Sequence, residues 1–322
     1  MHLLQPELHT RRAFLRRSTQ LGLAGTALPF ALNLAAMGEA AAFNATDYKA
    51  LVCVFLYGGN DYANTVVTYD DDSYNRYNTI RGGGAGQTAG GIALAKAALT
   101  PTLLTPTTPL PGGRQYALHP AMTGLAGLFN SGKAAVQLNV GPLVVPLTRA
   151  QYNSADRATY PVPPKLFSHN DQQSVWQSSS PEGSTVGWGG NIGDLALSSN
   201  GNSLFTCISV TGNAVFLSGD SALQYQVSTN GAVAINGVKN RVYGSSAVQS
   251  ALTSLIQQPR TQTLENEYNR VTTRAVTAES QITNGLAGVT LSTTFPNNNS
   301  LANQLKMVAR LIGARTSLGS NR

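Results

Sequence analysis

The sequence predicts an α/β fold with a mainly parallel sheet, and three observations carry that prediction. Residues 49–57 form an almost unbroken apolar run, KALVCVFLY, which is typical of a strand buried on both faces. Residues 119–130 then predict a helix and residues 133–140 a second strand, and this strand–helix–strand order predicts a βαβ unit. Apolar residues recur at helical spacing in residues 262–287 and 301–318, so the last third is predicted to be largely helical.

The first predicted strand ends at a tight turn, Gly58-Gly59-Asn60-Asp61. Ligands of open α/β sheets bind at the carboxyl ends of strands, so Asp61 is well placed for chemistry. Residues 81–113 are rich in Gly, Ala, Thr and Pro, and we expect a long surface excursion there.

The second half predicts further short elements. Ser168 is expected to lie in a helix N-cap region, followed by a helix over residues 171–177. Residues 183–193 predict a glycine-rich turn. Residues 204–210 and 214–217 predict two strands joined by a hairpin turn.

The N-terminus predicts an export signal. Residues 10–16 read TRRAFLR, a moderately apolar stretch covers residues 21–36, and residues 40–42 are alanines that offer a cleavage site. This order is typical of a twin-arginine signal, in which Arg11 and Arg12 are recognised by the Tat translocon. The apolar stretch is shorter and more polar than the ~20 residues that span a bilayer, so no stable membrane span is expected after cleavage.

The sequence therefore predicts a signal peptide at residues 1–42 and a single α/β domain at residues 43–322, located in the periplasm or secreted. The whole chain has a net charge of +7, and charged residues make up only 11% of it. The positive charges are scattered without a basic run, which argues against a nucleic-acid binder.

Cys53 and Cys207 each lie inside an apolar run. An oxidising periplasm permits a disulfide between them, whereas two buried thiols on separate strands are the simpler interpretation. Because the chain has no C-x-x-C motif, a thiolate zinc site is excluded in practice.

Two positions stand out as candidates for chemistry. Asp61 could bind a hard or borderline cation, or it could merely close an Asx turn. Ser168 is followed by His169, Asn170 and Asp171, but adjacent side chains point apart and do not form a catalytic triad. A nucleophilic Ser168 would need activation by a metal or by a helix N-terminus; otherwise it is a helix cap.

Four ordered segments follow the signal and resemble one protein family. They are VFLYGGNDYANTVV at 54–67, YALHPAMTGLAGLFNSGKAAVQLNVG at 116–141, FSHNDQQSVWQSSSPEG and GWGG within 167–190, and LANQLKMVARLIGAR at 301–315. In content and order these segments resemble the exported bacterial proteins of domain-of-unknown-function family 1501. The resemblance covers essentially the whole predicted mature chain.

That family is similar to the alkaline phosphatase and sulfatase superfamily. The resemblance implies a three-layer α/β/α sandwich and a metal-dependent hydrolase of phosphate or sulfate esters. It also implies a divalent metal (Zn, Ca or Mg) held by Asp61 and His169, with Ser168 as the catalytic residue.

The chain departs from the family after the segment at 301–315. The family continues into a further strand and a GGFDTH-like segment, whereas this sequence stops at Arg322, so we expect a sandwich that is incomplete at its C-terminus. A missing part of the sheet would expose apolar surface and invite a protein partner. The alternative function is therefore a non-catalytic periplasmic protein that binds a partner or an envelope polymer.

Overall fold

The computed structural model describes residues 48–82, 91–180 and 182–321. The predicted signal peptide lies outside the described residues. The fold is mixed α/β, with about 47% helix and small sheets. The described residues fall into two compact units, which we call the N-terminal unit (residues 53–141) and the C-terminal unit (residues 48–52 and 142–321).

The N-terminal unit contains short helices around one antiparallel strand pair. Its elements are α1 (Tyr62–Thr65), β1 (Val66–Thr68), α2 (Asp71–Arg81), α3 (Lys96–Leu99), β2 (Tyr116–Leu118) and α4 (Thr123–Asn130). Val66 lies opposite Leu118 across the β1–β2 pair. Helix α4 confirms the predicted helix, although it begins at Thr123 rather than at 119.

Part of the predicted excursion at 81–113 belongs to the core of the N-terminal unit instead. Leu99 and Thr102 are fully buried. The Thr102 hydroxyl donates to the Leu118 carbonyl at 2.5 Å and to the Leu99 carbonyl at 3.0 Å, which ties this segment to β2. The polar, Pro-rich composition of the segment did not indicate this packing. Residues 83–90 of the segment lie outside the described residues.

The two strands predicted at 49–57 and 133–140 are wrong. Neither segment forms a strand in the structure, and both are largely exposed. A strand needs a neighbour to receive its backbone hydrogen bonds, and the described chain places no strand beside either run. The predicted βαβ unit is therefore reduced to its helix, α4, and the three-layer sandwich stays a prediction.

The C-terminal unit is mainly helical. Its elements are α5 (Arg149–Tyr152), α6 (His169–Ser178), α7 (Trp188–Ala196), β3 (Cys207–Ser209), β4 (Gln224–Gln226), α8 (Asn236–Lys239), α9 (Ser246–Gln257), α10 (Thr263–Ala287), α11 (Ser300–Gly313) and α12 (Arg315–Leu318). Strands β3 and β4 pair in parallel, with Cys207 opposite Gln224. The predicted hairpin is wrong, because Val215–Leu217 forms a short 3-10 helix.

The helical last third is confirmed by α10, α11 and α12. These helices pack their apolar faces into one core with residues near β3 and β4. Its buried members are Phe205, Val227, Ala278, Ile282, Leu286, Met307, Leu311, Ala314 and Leu318. None of the described helices combines the length and apolar character that crossing a bilayer requires.

The glycine-rich turn predicted at 183–193 is confirmed at Gly183 only, because the later residues form α7, where Gly190 and Gly193 allow close packing. A Cβ on Gly190 would lie 2.1 Å from the Ser218 carbonyl, and one on Gly193 would lie 2.3 Å from the Cys207 sulfur. Such distances are far inside van der Waals contact, so only glycine fits while the backbone keeps its place. The spacing of these glycines follows from helix packing rather than from a turn.

Candidate functional site

The hydroxyl of Ser168 forms the N-cap of α6. Ser168 Oγ donates to Asp171 Oδ2 at 2.6 Å and accepts from the Asp171 amide at 3.4 Å. The cap satisfies an amide that the first helical turn leaves without a carbonyl partner. The predicted capping role of Ser168 is therefore confirmed, and its catalytic role stays a prediction.

The carboxylate of Asp171 is buried and surrounded by donors. The Lys165 ammonium lies 3.3 Å from Oδ1, and the Glu182 amide donates to the same oxygen at 3.1 Å. The hydrogen bond from Ser168, followed by that from Glu182 and by Lys165, lowers the pKa of Asp171 below its ordinary value. Lys165, Ser168 and Asp171 thus bring an ammonium, a hydroxyl and an ionised carboxylate together; we call them the Ser168 cluster.

The backbone entering this cluster is held in an uncommon conformation. Lys165 has a φ of 50° and Phe167 a φ of 71°. Residues with side chains cost ~1–3 kcal/mol in that left-handed region and are concentrated at functional sites. The Phe167 side chain is exposed, so packing of the ring does not account for the conformation.

His169 is the first residue of α6, and its side chain is exposed. It follows Ser168 directly in the chain but is not part of the hydrogen bonds that join Ser168 to Asp171. Within the described residues, no group of three or more His, Cys, Asp or Glu side chains could hold a metal ion.

Asp61 lies in the N-terminal unit, whereas Ser168 and His169 lie in the C-terminal unit. Its carboxylate caps α1 by accepting from the Ala63 amide at 3.2 Å, and it forms an ion pair with Arg81. The guanidinium occupies the carboxylate and would repel a divalent cation beside it. The Asp61 carboxylate, paired with Arg81, therefore does not fit a metal ion, and no chemical step is derived through one.

No sequence pattern indicates the polar network around α1 and α2. The Tyr77 hydroxyl donates to Asn64 Oδ1 at 2.6 Å and accepts from the Leu94 amide at 2.7 Å. Burial raises the pKa of Tyr77 above its ordinary value. These contacts join residues 13 and 17 positions apart in the chain, so only the folded structure reveals them.

The N-terminal unit leaves an apolar segment uncovered. Four consecutive side chains of this segment, which we define as residues 54–57, are exposed: Val54 by 48%, Phe55 by 37%, Leu56 by 55% and Tyr57 by 69%. Leu138 and Val140, in the second strand that the sequence predicted, are exposed as well. Four adjacent exposed apolar side chains are unusual for a protein surface and are typical of a binding site.

A groove of about 520 Å³ runs along α10 in the C-terminal unit. Its lining includes hydroxyl and amide groups beside three leucines, and Arg274 supplies a positive charge. The lining residues are Leu197, Asn202, Ser203, Leu204, Ser221, Leu223, Thr273, Arg274, Thr277, Ala278 and Gln281. The sequence did not single out any of them.

Both cysteines carry free thiols, with Cys53 exposed and Cys207 buried. The simpler interpretation of two buried thiols is thus correct for Cys207 alone. Burial, with a smaller contribution from the Asp194 carboxylate, raises the pKa of Cys207 to about 11. The Cys207 thiol is therefore protonated at neutral pH and is not a nucleophile.

The chain was compared with known protein families, with curated proteins and with solved structures, and nothing matches it.

Proposed function

We propose that the chain is an exported protein that binds a polypeptide partner, which adds a β-strand to the apolar segment at 54–57. The observation that carries this proposal is the exposure of all four side chains in that segment. Successive side chains of an extended backbone point to opposite faces. Once extended beside a partner strand, the four exposed side chains of the segment would thus present both of its faces.

The composition of the segment favours a strand as the occupant. Val54, Phe55 and Tyr57 are β-branched or aromatic residues, which suit a pleated surface. An added strand would pair with the backbone N–H and C=O groups and cover the apolar side chains at the same time. The proposed partner is therefore an extended apolar segment of another polypeptide.

The predicted twin-arginine signal supports the export of this protein to the periplasm or beyond, through recognition of Arg11 and Arg12 by the Tat translocon. The resemblance to family 1501 supports a three-layer α/β/α sandwich. In this proposal the segment at 54–57 pairs with the partner strand within a sheet of that sandwich.

A site-specific photocrosslinker tests the proposal in the exporting cell. Replacement of Phe55 by p-benzoylphenylalanine should give a discrete crosslinked product, and mass spectrometry should locate the partner's attachment in an extended apolar segment. The same probe at the fully exposed Tyr243 is the matched control and should give no such product. Equal crosslinking at both positions, or none at Phe55, would contradict the proposal.

A second candidate function is hydrolysis of phosphate or sulfate esters, and the Ser168 cluster favours it. The N-terminus of α6 attracts an oxyanion, and the Lys165 ammonium, although paired with Asp171, is 63% exposed beside it. Asp171 Oδ2 already accepts the hydrogen bond of the Ser168 hydroxyl, so it could receive the proton when that oxygen bonds to the phosphorus or sulfur and the ester oxygen leaves with its alcohol. The strained backbone at Phe167 is the second feature in its favour.

Hydrolysis of 4-nitrophenyl phosphate and 4-nitrophenyl sulfate, with and without added Zn²⁺, Ca²⁺ or Mg²⁺, tests this second function. Ser168→Ala should abolish turnover. Thr148→Ala removes the N-cap hydroxyl of α5 and is the matched control that should keep it. No turnover by the unmodified protein, or undiminished turnover by Ser168→Ala, would exclude a catalytic Ser168.

A further inference from the structure

Helix α10 carries one apolar stripe along its length. Leu264, Tyr268, Val271 and Ala275 follow one another at intervals of four, three and four residues. At about 100° per residue these four side chains lie within an arc of ~60°. The same intervals continue through Ala278 and Ile282.

The stripe is covered in its C-terminal half and open in its N-terminal half. Ala278 and Ile282 are fully buried in the core that α10 shares with α11 and α12. By contrast, Leu264 is 87% exposed and Tyr268 69% exposed. We call Leu264, Tyr268, Val271 and Ala275, all of them exposed, the open stripe.

The neighbouring helix α9 does not account for the open stripe. Asn269, which lies on another face of α10, is buried and donates to the Gln258 carbonyl at 2.6 Å just after α9. The open stripe thus faces away from the contact that α10 makes with α9, and it continues a face that is covered further along the same helix.

The charged residues beside the open stripe are complementary to the same residues of a second copy of the helix. Glu267 and Arg274 flank it on one side, seven residues apart, and they are joined at 3.1 Å within the helix. If a second α10 lay antiparallel with its centre near residue 270, Glu267 of each copy would face Arg274 of the other. Tyr268 would then lie beside Val271 of the second copy, and Leu264 beside its Ala275.

We propose that a second copy of this chain docks on the open stripe through an antiparallel pairing of the two α10 helices. Intervals of four and three residues are the spacing of coiled-coil seams, where flanking charges set the partner and the orientation. The stripe spans ~18 Å at 1.5 Å per residue, so the contact is short. The dimer is therefore concentration-dependent. This surface is independent of the apolar segment at 54–57.

Sedimentation velocity of the mature chain over a range of concentrations tests the proposal. The unmodified protein should shift from monomer to dimer as its concentration rises. Glu267→Arg and Arg274→Glu should each remain monomeric, because each places like charges opposite one another across the pair. An equimolar mixture of the two variants should dimerise again, since every facing pair is then of opposite charge.

The mixing step separates a docking defect from misfolding, because misfolded variants would not associate specifically when combined. Leu264→Asn should also abolish the dimer. Leu223→Asn, at a leucine that is 66% exposed outside the stripe, is the matched control and should leave it intact. A protein that stays monomeric throughout the range, or a mixture that does not dimerise, would overturn the proposal.

Discussion

The ammonium of Lys239 lies 2.7 Å from the carboxylate of Glu279. Glu279 is on α10 and is only 6% exposed. Lys239 is the last residue of the short helix α8. The Thr283 hydroxyl donates to the same carboxylate at 2.8 Å. The ion pair therefore joins α8 to the C-terminal half of α10, the longest described helix.

Replacing Lys239 by Met should destabilise the protein. The substitution leaves the Glu279 carboxylate buried without its cation, which we expect to cost ~1–3 kcal/mol because Thr283 still donates and Lys239 is partly exposed. Urea unfolding at pH 7 measures the change. Lys306→Met, at an exposed lysine on α11, is the control; an equal loss in both variants would contradict a specific role for Lys239.

Lowering the pH should remove the stabilisation that Asp171 provides. Its pKa is lowered in the folded state, chiefly by the hydrogen bond from Ser168. A lowered pKa stabilises the fold above the unfolded value of ~3.9, and this stabilisation is lost as the pH falls through the folded pKa. The difference in unfolding free energy between the unmodified protein and Asp171→Asn should thus be constant near pH 7 and shrink below about pH 4. A difference that did not change with pH would show that the charge of Asp171 contributes nothing.

Replacing Gly193 by Ala should destabilise the C-terminal unit. The new Cβ would lie 2.3 Å from the Cys207 sulfur, and such overpacking costs ~1–3 kcal/mol. Thermal unfolding should show a lower midpoint for Gly193→Ala, and Cys207→Ala should restore part of the loss in the double variant. Gly124→Ala is the control, because a Cβ there meets nothing within 4 Å. Additive effects of the Gly193 and Cys207 substitutions would argue against the contact.

The two thiols should differ sharply in reactivity. The pKa of Cys207 is raised to about 11 by burial, so little thiolate forms at pH 8, and α7 also shields the sulfur at Gly193. Cys53 is exposed, and although partial burial also raises its pKa, reagent can reach it. Iodoacetamide labelling followed by peptide mass spectrometry should find Cys53 modified first. Equal rates, or a Cys53–Cys207 disulfide in the isolated protein, would contradict this assignment.

The features that the sequence predicted well are local ones. Helix α10 was predictable because its apolar residues keep helical spacing over 25 residues, and Ser168 was identified as a cap because a cap acts within three residues of itself. By contrast, the strand predicted at 49–57 needed a neighbouring strand from elsewhere in the chain. An apolar run predicts that a segment is buried, but it does not show which strand would pair with it. The same limit applies to Asp61 and Arg81, which meet across 20 positions of the chain.

Two features of the candidate sites depend on which neighbours the fold supplies. The carboxylate of Asp61 has the chemistry of a metal ligand, but Arg81 pairs with it, and nothing in the turn at 58–61 indicates that guanidinium. Helical periodicity also fails to predict which part of the apolar stripe on α10 is open. The spacing of apolar residues is the same where α11 and α12 cover the stripe and where they do not. Sequence pattern therefore identifies the face, and the tertiary structure decides whether it is covered.

The central claim is that residues 54–57 offer an unpaired edge to a partner. Hydrogen exchange of the isolated mature protein tests this claim most directly. Amides of residues 54–57 should exchange within seconds, whereas the amide of Val67, in the paired and buried strand β1, should be strongly protected. Protection of residues 54–57 as great as that of Val67 would show that the segment is already paired within the chain, and would contradict the account.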